Sequence, residues 1–121
     1  MESLDIHAYT YEPRHDLLPM LTKVFVNCGA WVLERKTLSS KNMEFRLEIQ
    51  LRSVLELYAS ILSTGVELTR SGHDSLTELC TRRKHVRTRT ELAQVVLLRL
   101  EISFLDDITL HSLLASGSVP A

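Results

Sequence analysis

Met43-Glu44-Phe45-Arg46-Leu47-Glu48-Ile49-Gln50-Leu51 places an apolar side chain at every odd position and a polar or charged one at every even position. Successive side chains of a strand point to opposite faces, so this stretch sends one row into a core and the other away from it. A helix, with about 3.6 residues per turn, cannot gather that alternation on one side. The stretch reads as a strand, and the rest of the chain must supply its partners and the helices that cover its apolar row.

Immediately upstream, Ser39-Ser40-Lys41-Asn42 is a short polar turn. Ala30 to Leu38, with Trp31, Val32 and Leu33 ahead of the charged run Glu34-Arg35-Lys36, reads as a strand that pairs with Met43–Leu51 in a hairpin. Before it, Leu17, Leu21, Val24 and Cys28 fall on one stripe of a helix over Asp16–Cys28. Asp16 is the expected N-cap, Pro19 is expected in the tolerant first turn, and Gly29 suits the left-handed residue that ends a helix. At the start, Leu4, Ile6 and Ala8 alternate with Asp5, His7 and Tyr9, a first strand that stops near Glu12-Pro13.

Downstream, Ser53 and Glu56 have the spacing of a capping box, and Val54, Leu57, Tyr58, Ile61 and Leu62 form the stripe of a second helix closed by Gly65. Val66 to Arg70 is expected as a short strand and Ser71-Gly72 as a turn. Ser75 and Glu78 repeat the capping spacing ahead of a third helix running to about Arg87. Thr88 and Glu91 offer the spacing once more. From Val95 to Leu105, however, Leu98, Leu100, Ile102 and Phe104 alternate with Arg99, Glu101 and Ser103, which favours a long strand over a helix. Ile108 to Leu114 suggests a last short helix, and Ser116 to Ala121 a loose tail.

This order is the βαββαβ, ferredoxin-like pattern with additions. The expected fold is α+β: an antiparallel sheet with helices on one face, plus an extra helix and a long C-terminal strand, in a single domain over residues 1–115 with a tail over 116–121. The other sheet face is left bare. It should carry the even residues of the Met43 strand with Arg99, Glu101, His7 and Tyr9, either as solvated surface or as a subunit interface.

A chain of 121 residues, 45% hydrophobic and 24% charged, suits one soluble globular domain. The net charge of −1 gives no bulk attraction to nucleic acid or to a membrane surface. The longest aliphatic run, Val95 to Leu98, is far short of the ~20 residues that span a bilayer. The opening Met1-Glu2-Ser3-Leu4-Asp5 is acidic and lacks the basic start and apolar centre of a signal peptide. Cys28 and Cys80 sit far apart within apolar patterns, as buried thiols rather than a disulfide framework. A cytoplasmic setting is expected.

Catalytic motifs are missing from this sequence. The dipeptides His15-Asp16 and His73-Asp74 resemble the pair used by all-helical metal phosphohydrolases. Both precede an expected helix start, where Asp has a capping role, and the strand content conflicts with that fold. His7, His85 and His111 stand alone, no C-x-x-C occurs, and no metal or cofactor is expected. Cys28 lies at a helix C-terminus, where the dipole raises a thiol pKa, and four glycines make no phosphate loop. The run Arg82-Arg83-Lys84-His85-Val86-Arg87-Thr88-Arg89 is the strongest local charge and the one nucleic-acid candidate. Cations at a helix C-terminus are explained by its dipole, and no aromatic residue is near; an acidic partner or a dimer mate is an equal use.

Glu12-Pro13-Arg14-His15-Asp16-Leu17-Leu18-Pro19-Met20-Leu21, followed by Val24-Phe25-Val26-Asn27-Cys28-Gly29-Ala30-Trp31-Val32-Leu33, resembles an ACT-type regulatory domain. Gly29 matches the family's helix-ending glycine, and Leu17, Leu21, Val24 and Phe25 its apolar helix positions. The resemblance covers Leu4 to Arg70 and, more loosely, reaches Leu105. It implies association through sheet edges or faces, with an amino acid or another small effector bound at the interface. The implied ligand residues are Arg14, His15, Asp16 and Leu17 in the turn, with Asn27 and Gly29 nearby. Arg14 and the free amides of the helix start would serve a carboxylate. The turn departs from the family in having no glycine. The expected function is thus a non-enzymatic regulatory or assembly module, homodimeric, with a small effector. The alternatives are an interaction module with no small-molecule site, and a small enzyme using His15, Asp16 or His73.

Overall fold

The computed structural model describes residues 2–105. The expected helix over Ile108 to Leu114 and the tail over 116–121 lie outside the described residues. Strand β1 (Glu2–Thr10) leads to helix α1 (Arg14–Asn27), and strands β2 (Trp31–Thr37) and β3 (Asn42–Gln50) form the hairpin. A 3-10 turn at Leu51–Ser53 opens helix α2 (Val54–Ser63), followed by strand β4 (Val66–Leu68), helix α3 (Arg70–His85), the single turn α4 (Arg89–Leu92) and strand β5 (Val95–Phe104).

The five strands form one open sheet in the order β2-β3-β5-β1-β4. Up to β4 the element order is compatible with the expected βαββαβ pattern. The expected antiparallel sheet is corrected to a mixed one: β5 inserts between β3 and β1, antiparallel to the first and parallel to the second along its whole length. The parallel pairing follows from the connection, because α3 and α4 carry the chain from β4 back to the end of the sheet where β1 begins.

Alternation fixes the two faces. Ile6 and Ala8 of β1, Met43 to Ile49 at odd positions of β3, and Val96 to Phe104 at even positions of β5 are buried. They form one core with Leu17, Leu21 and Phe25 of α1, Leu57 and Ile61 of α2, and Leu76 and Leu79 of α3. Phe25 meets Phe45 edge-on at 5.5 Å between ring centroids, joining α1 to β3. Among the described residues no helix lies over the opposite face.

Several helix starts differ from expectation. Helix α1 begins at Arg14, with Pro13 as N-cap and its carbonyl accepting the amides of Asp16 and Leu17. Asp16 therefore lies inside the first turn, where its charge suits the dipole, rather than at the cap. Pro19 moves into the helix interior and deprives the His15 carbonyl of its partner. Ser53 makes no cap bond, because the 3-10 turn precedes α2. Helix α3 starts five residues before Ser75: Thr69 caps it by accepting the Gly72 amide at 3.2 Å and donating to the His7 carbonyl at 3.0 Å. Gly72 is buried against Ile6, so the pair Ser71-Gly72 is a close helix–strand approach and not a turn. Thr88 caps α4 as its spacing predicts, and Gly29 ends α1 at φ 71°.

Candidate functional site

The uncovered face of the sheet concentrates the polar chemistry. Along β1, β5 and β3 three rows cross it in register: Asp5, Arg99 and Arg46; then His7, Glu101 and Glu44; then Tyr9, Ser103 and Asn42. The two rows nearest its centre therefore set like charges side by side, Arg99 beside Arg46 and Glu101 beside Glu44, an arrangement that repels unless the rows neutralise each other.

They do so through Arg99. Its Nε donates to Glu44, its Nη1 to Asp5 at 3.0 Å and its Nη2 to Glu101 at 2.8 Å. Glu44 is only 3% exposed although it lies on the open face, because the guanidinium groups lie over it. Asn42 donates to Glu101 at 3.1 Å and reaches Ser103 at 3.2 Å. The hydrogen bond from Arg99 holds the Glu101 carboxyl below the usual range, helped by Asn42 and opposed by burial. The same bonds hold Arg99 charged even more firmly than usual. His7 lies between two carboxylates, 3.7 Å from Asp5 and 3.7 Å from Glu101.

Next to this network is a depression of about 340 Å³ lined by Ser3, Leu33, Arg46, Leu47, Leu97, Leu98 and Arg99. A second holds about 370 Å³ between Glu2 and Leu4 of β1 and α3 residues from Ser75 to Arg82, where Arg82 pairs with Glu2. A third and smaller hollow of about 150 Å³ lies between Gly29, Trp31, Glu48 and Val95.

The residues expected to bind an effector are divided by the length of α1. Arg14 lies at its start with its guanidinium 4.8 Å above the Phe104 ring and a bond to the Ser40 carbonyl. His15 and Asp16 are exposed beside it and 3.4 Å apart, and Leu17 is buried in the core. Asn27 and Gly29 are exposed at the other end. Fourteen helical residues separate the groups by roughly 20 Å, so the chain does not bring them into one pocket. Nor do His15 and Asp16 meet His73, whose Nδ1 lies 2.5 Å from the Tyr58 hydroxyl on α2. Among the described residues no three His, Cys, Asp or Glu side chains are grouped to hold a metal ion.

The basic run divides by direction: Arg82 turns to Glu2 on β1 and Arg83 donates to the Arg52 carbonyl at 2.8 Å. Both cysteines are free, and burial raises the Cys80 thiol pKa against the opposing effect of Arg83. No helix among the described residues is long and apolar enough to cross a membrane.

Alternation in the sequence located the open face, but Asp5, Asn42, Ser103 and the Leu33–Leu97 depression had no separate signal there. Their meeting depends on the register of β5 between β1 and β3. Compared with protein-family models, with curated proteins and with solved structures, the chain matches none.

Proposed function

We propose that this chain is a non-enzymatic assembly module of ACT-like type, working as a homodimer joined along the edge of β2. The observation that carries the reading is the state of that strand. All seven of its residues are exposed, yet it begins Trp31-Val32-Leu33, with Trp31 71% exposed. Val26, at the end of α1, is also 71% exposed.

An edge strand with large apolar side chains is a template for pairing with another chain. The second half of β2 is blunted by Glu34, Arg35 and Lys36, and its register shifts between Val32 and Glu34. Contact between copies is therefore centred on Trp31, beside the hollow that Gly29 borders. Of the effector residues implied by the family resemblance, Asn27 and Gly29 lie at this edge. The catalytic alternative is less favoured because His15 and Asp16 pair with each other at the start of α1 while His73 pairs with Tyr58. Two free cysteines suit a reducing, cytoplasmic setting.

Sedimentation equilibrium of the wild type and of Trp31→Glu tests the reading. The expected result is a dimer that the substitution turns into a folded monomer. A wild-type monomer at every concentration measured overturns it, and so does a dimer that Trp31→Glu and Leu33→Asp both leave intact.

A further inference from the structure

The depression on the uncovered face has a lining that its surroundings do not explain. Asp5, Glu34, Glu44 and Glu101 all stand on that face, yet none of them lines the depression. Its charged residues are Arg46 and Arg99, and the other lining residues are Ser3, Leu33, Leu47, Leu97 and Leu98. Arg99 draws Asp5, Glu44 and Glu101 to itself, which leaves a cationic and apolar hollow beside an acidic network.

Arg46 has donors to spare. Its Nε lies 3.6 Å from Glu34 and 3.7 Å from Glu44, beyond hydrogen-bond distance, and it donates no hydrogen bond among the described residues. Its terminal amino groups form a planar fork matched to a carboxylate. Leu97 is half-buried on the open face, and Leu33 bulges from β2 to face it. The Ser3 hydroxyl adds a neutral polar group at the same wall.

We infer that this depression binds a small monocarboxylate with an apolar tail, its carboxylate on the Arg46 fork and its tail against Leu33 and Leu97. A volume of about 340 Å³ is at the small end of ligand sites. A single negative charge fits better than a phosphate dianion, because Glu34 and Glu44 already stand near the Arg46 Nε. This site goes beyond the assembly reading and does not depend on it: Arg46 and Leu97 lie on the sheet face inside the β2 edge, and Leu33 is the lining residue that the edge shares.

Hexanoate is the probe, with uncharged hexanamide and cationic hexylamine as controls, followed by shifts of the backbone-amide NMR signals of the full chain. The expected result is saturable shifts at Ser3, Leu33, Arg46 and Leu97, with hexanamide binding at least about tenfold more weakly. Arg46→Gln should lose about tenfold or more in hexanoate affinity while keeping its folded spectrum, and Arg46→Lys should fall between the two. Three results overturn the site: no saturable shift, equal binding of hexanamide and hexanoate, or unchanged affinity in Arg46→Gln. Binding that persists in Trp31→Glu separates the site from the dimer edge.

Discussion

Arg99 and Arg46 stand directly opposite each other across the β3–β5 ladder, with Glu44 receiving both guanidinium groups. Two like charges in a cross-strand pair are unfavourable, and the buried carboxylate between them reverses the sign of the local balance. Burial of Glu44 is thus a consequence of the strand register, which sets Arg46 and Arg99 over it.

Glu44→Gln keeps the shape and one acceptor but removes the charge that separates the arginines. The expected loss is about 2 kcal/mol, below the full cost of breaking a buried pair because both arginines reach solvent. Urea unfolding measures it. Adding Arg46→Leu should recover part of the loss by removing the repulsion, and a cost for Glu44→Gln within about 0.5 kcal/mol would show that the carboxylate is not needed there.

Glu101 gives the network a pH dependence. Its folded carboxyl is held below the ordinary value of 4.5, chiefly by the bond from Arg99. The unfolded chain therefore takes up the proton first, so the stabilisation is complete above that ordinary value and is lost as pH falls through the lower folded one. Arg99, held charged even more strongly, adds no window of its own in that range. Stability of the wild type relative to Glu101→Gln should be greatest near neutrality and shrink below 4.5; a constant gap down to the acid limit would contradict the linkage.

Pro19 interrupts α1 in its second turn, where the His15 carbonyl would otherwise accept its amide. Interior proline costs a helix about 3 kcal/mol against alanine, offset by a smaller loss of freedom in the unfolded chain. Pro19 is exposed, so its replacement opens no cavity. Pro19→Ala is expected to stabilise the fold by about 1 kcal/mol or more, read as a rise in melting temperature. An unchanged or lower value would mean that the start of α1 is set by its packing against β5 and not by its own hydrogen bonds.

The strands were legible because their two faces differ: alternation over Met43–Leu51 and from Val95 onward marks β3 and β5 within a residue or so. Their neighbours were not. Nothing in either stretch states that β5 lies between β3 and β1, since an alternating strand fits any antiparallel or parallel partner with an apolar face. The like-charge pair at Arg46 and Arg99, and the hollow beside it, exist only in that register. Local spacing misled where two starts competed: Ser75 and Glu78 have the capping pattern, but Thr69 reaches the His7 carbonyl on β1 and starts α3 earlier. The split of the ligand residues follows similarly, since the family resemblance groups Arg14 with Gly29 in one site while α1 holds them at its opposite ends.

Gly72 shows the same tertiary control and yields the last test. In an exposed helix, alanine for glycine gains up to about 1 kcal/mol. Here an added Cβ would stand 3.1 Å from Ile6 Cγ2 and 3.3 Å from the His7 carbonyl oxygen. That oxygen cannot retreat easily, because β1 is paired with β5 along its length and the oxygen accepts from both the amide and the hydroxyl of Thr69. Helix α3 must lift instead, and the expected net loss for Gly72→Ala is about 1–2 kcal/mol. Gly29→Ala should cost a similar ~1 kcal/mol for a different reason, its φ of 71° with nothing within 4 Å of the new methyl. Hydrogen exchange separates the two: Gly72→Ala should speed exchange along the start of α3 and the facing part of β1, while Gly29→Ala should leave both protected. A Gly72→Ala variant that melts higher than wild type, with α3 exchange unchanged, would show that the helix has room to spare against β1.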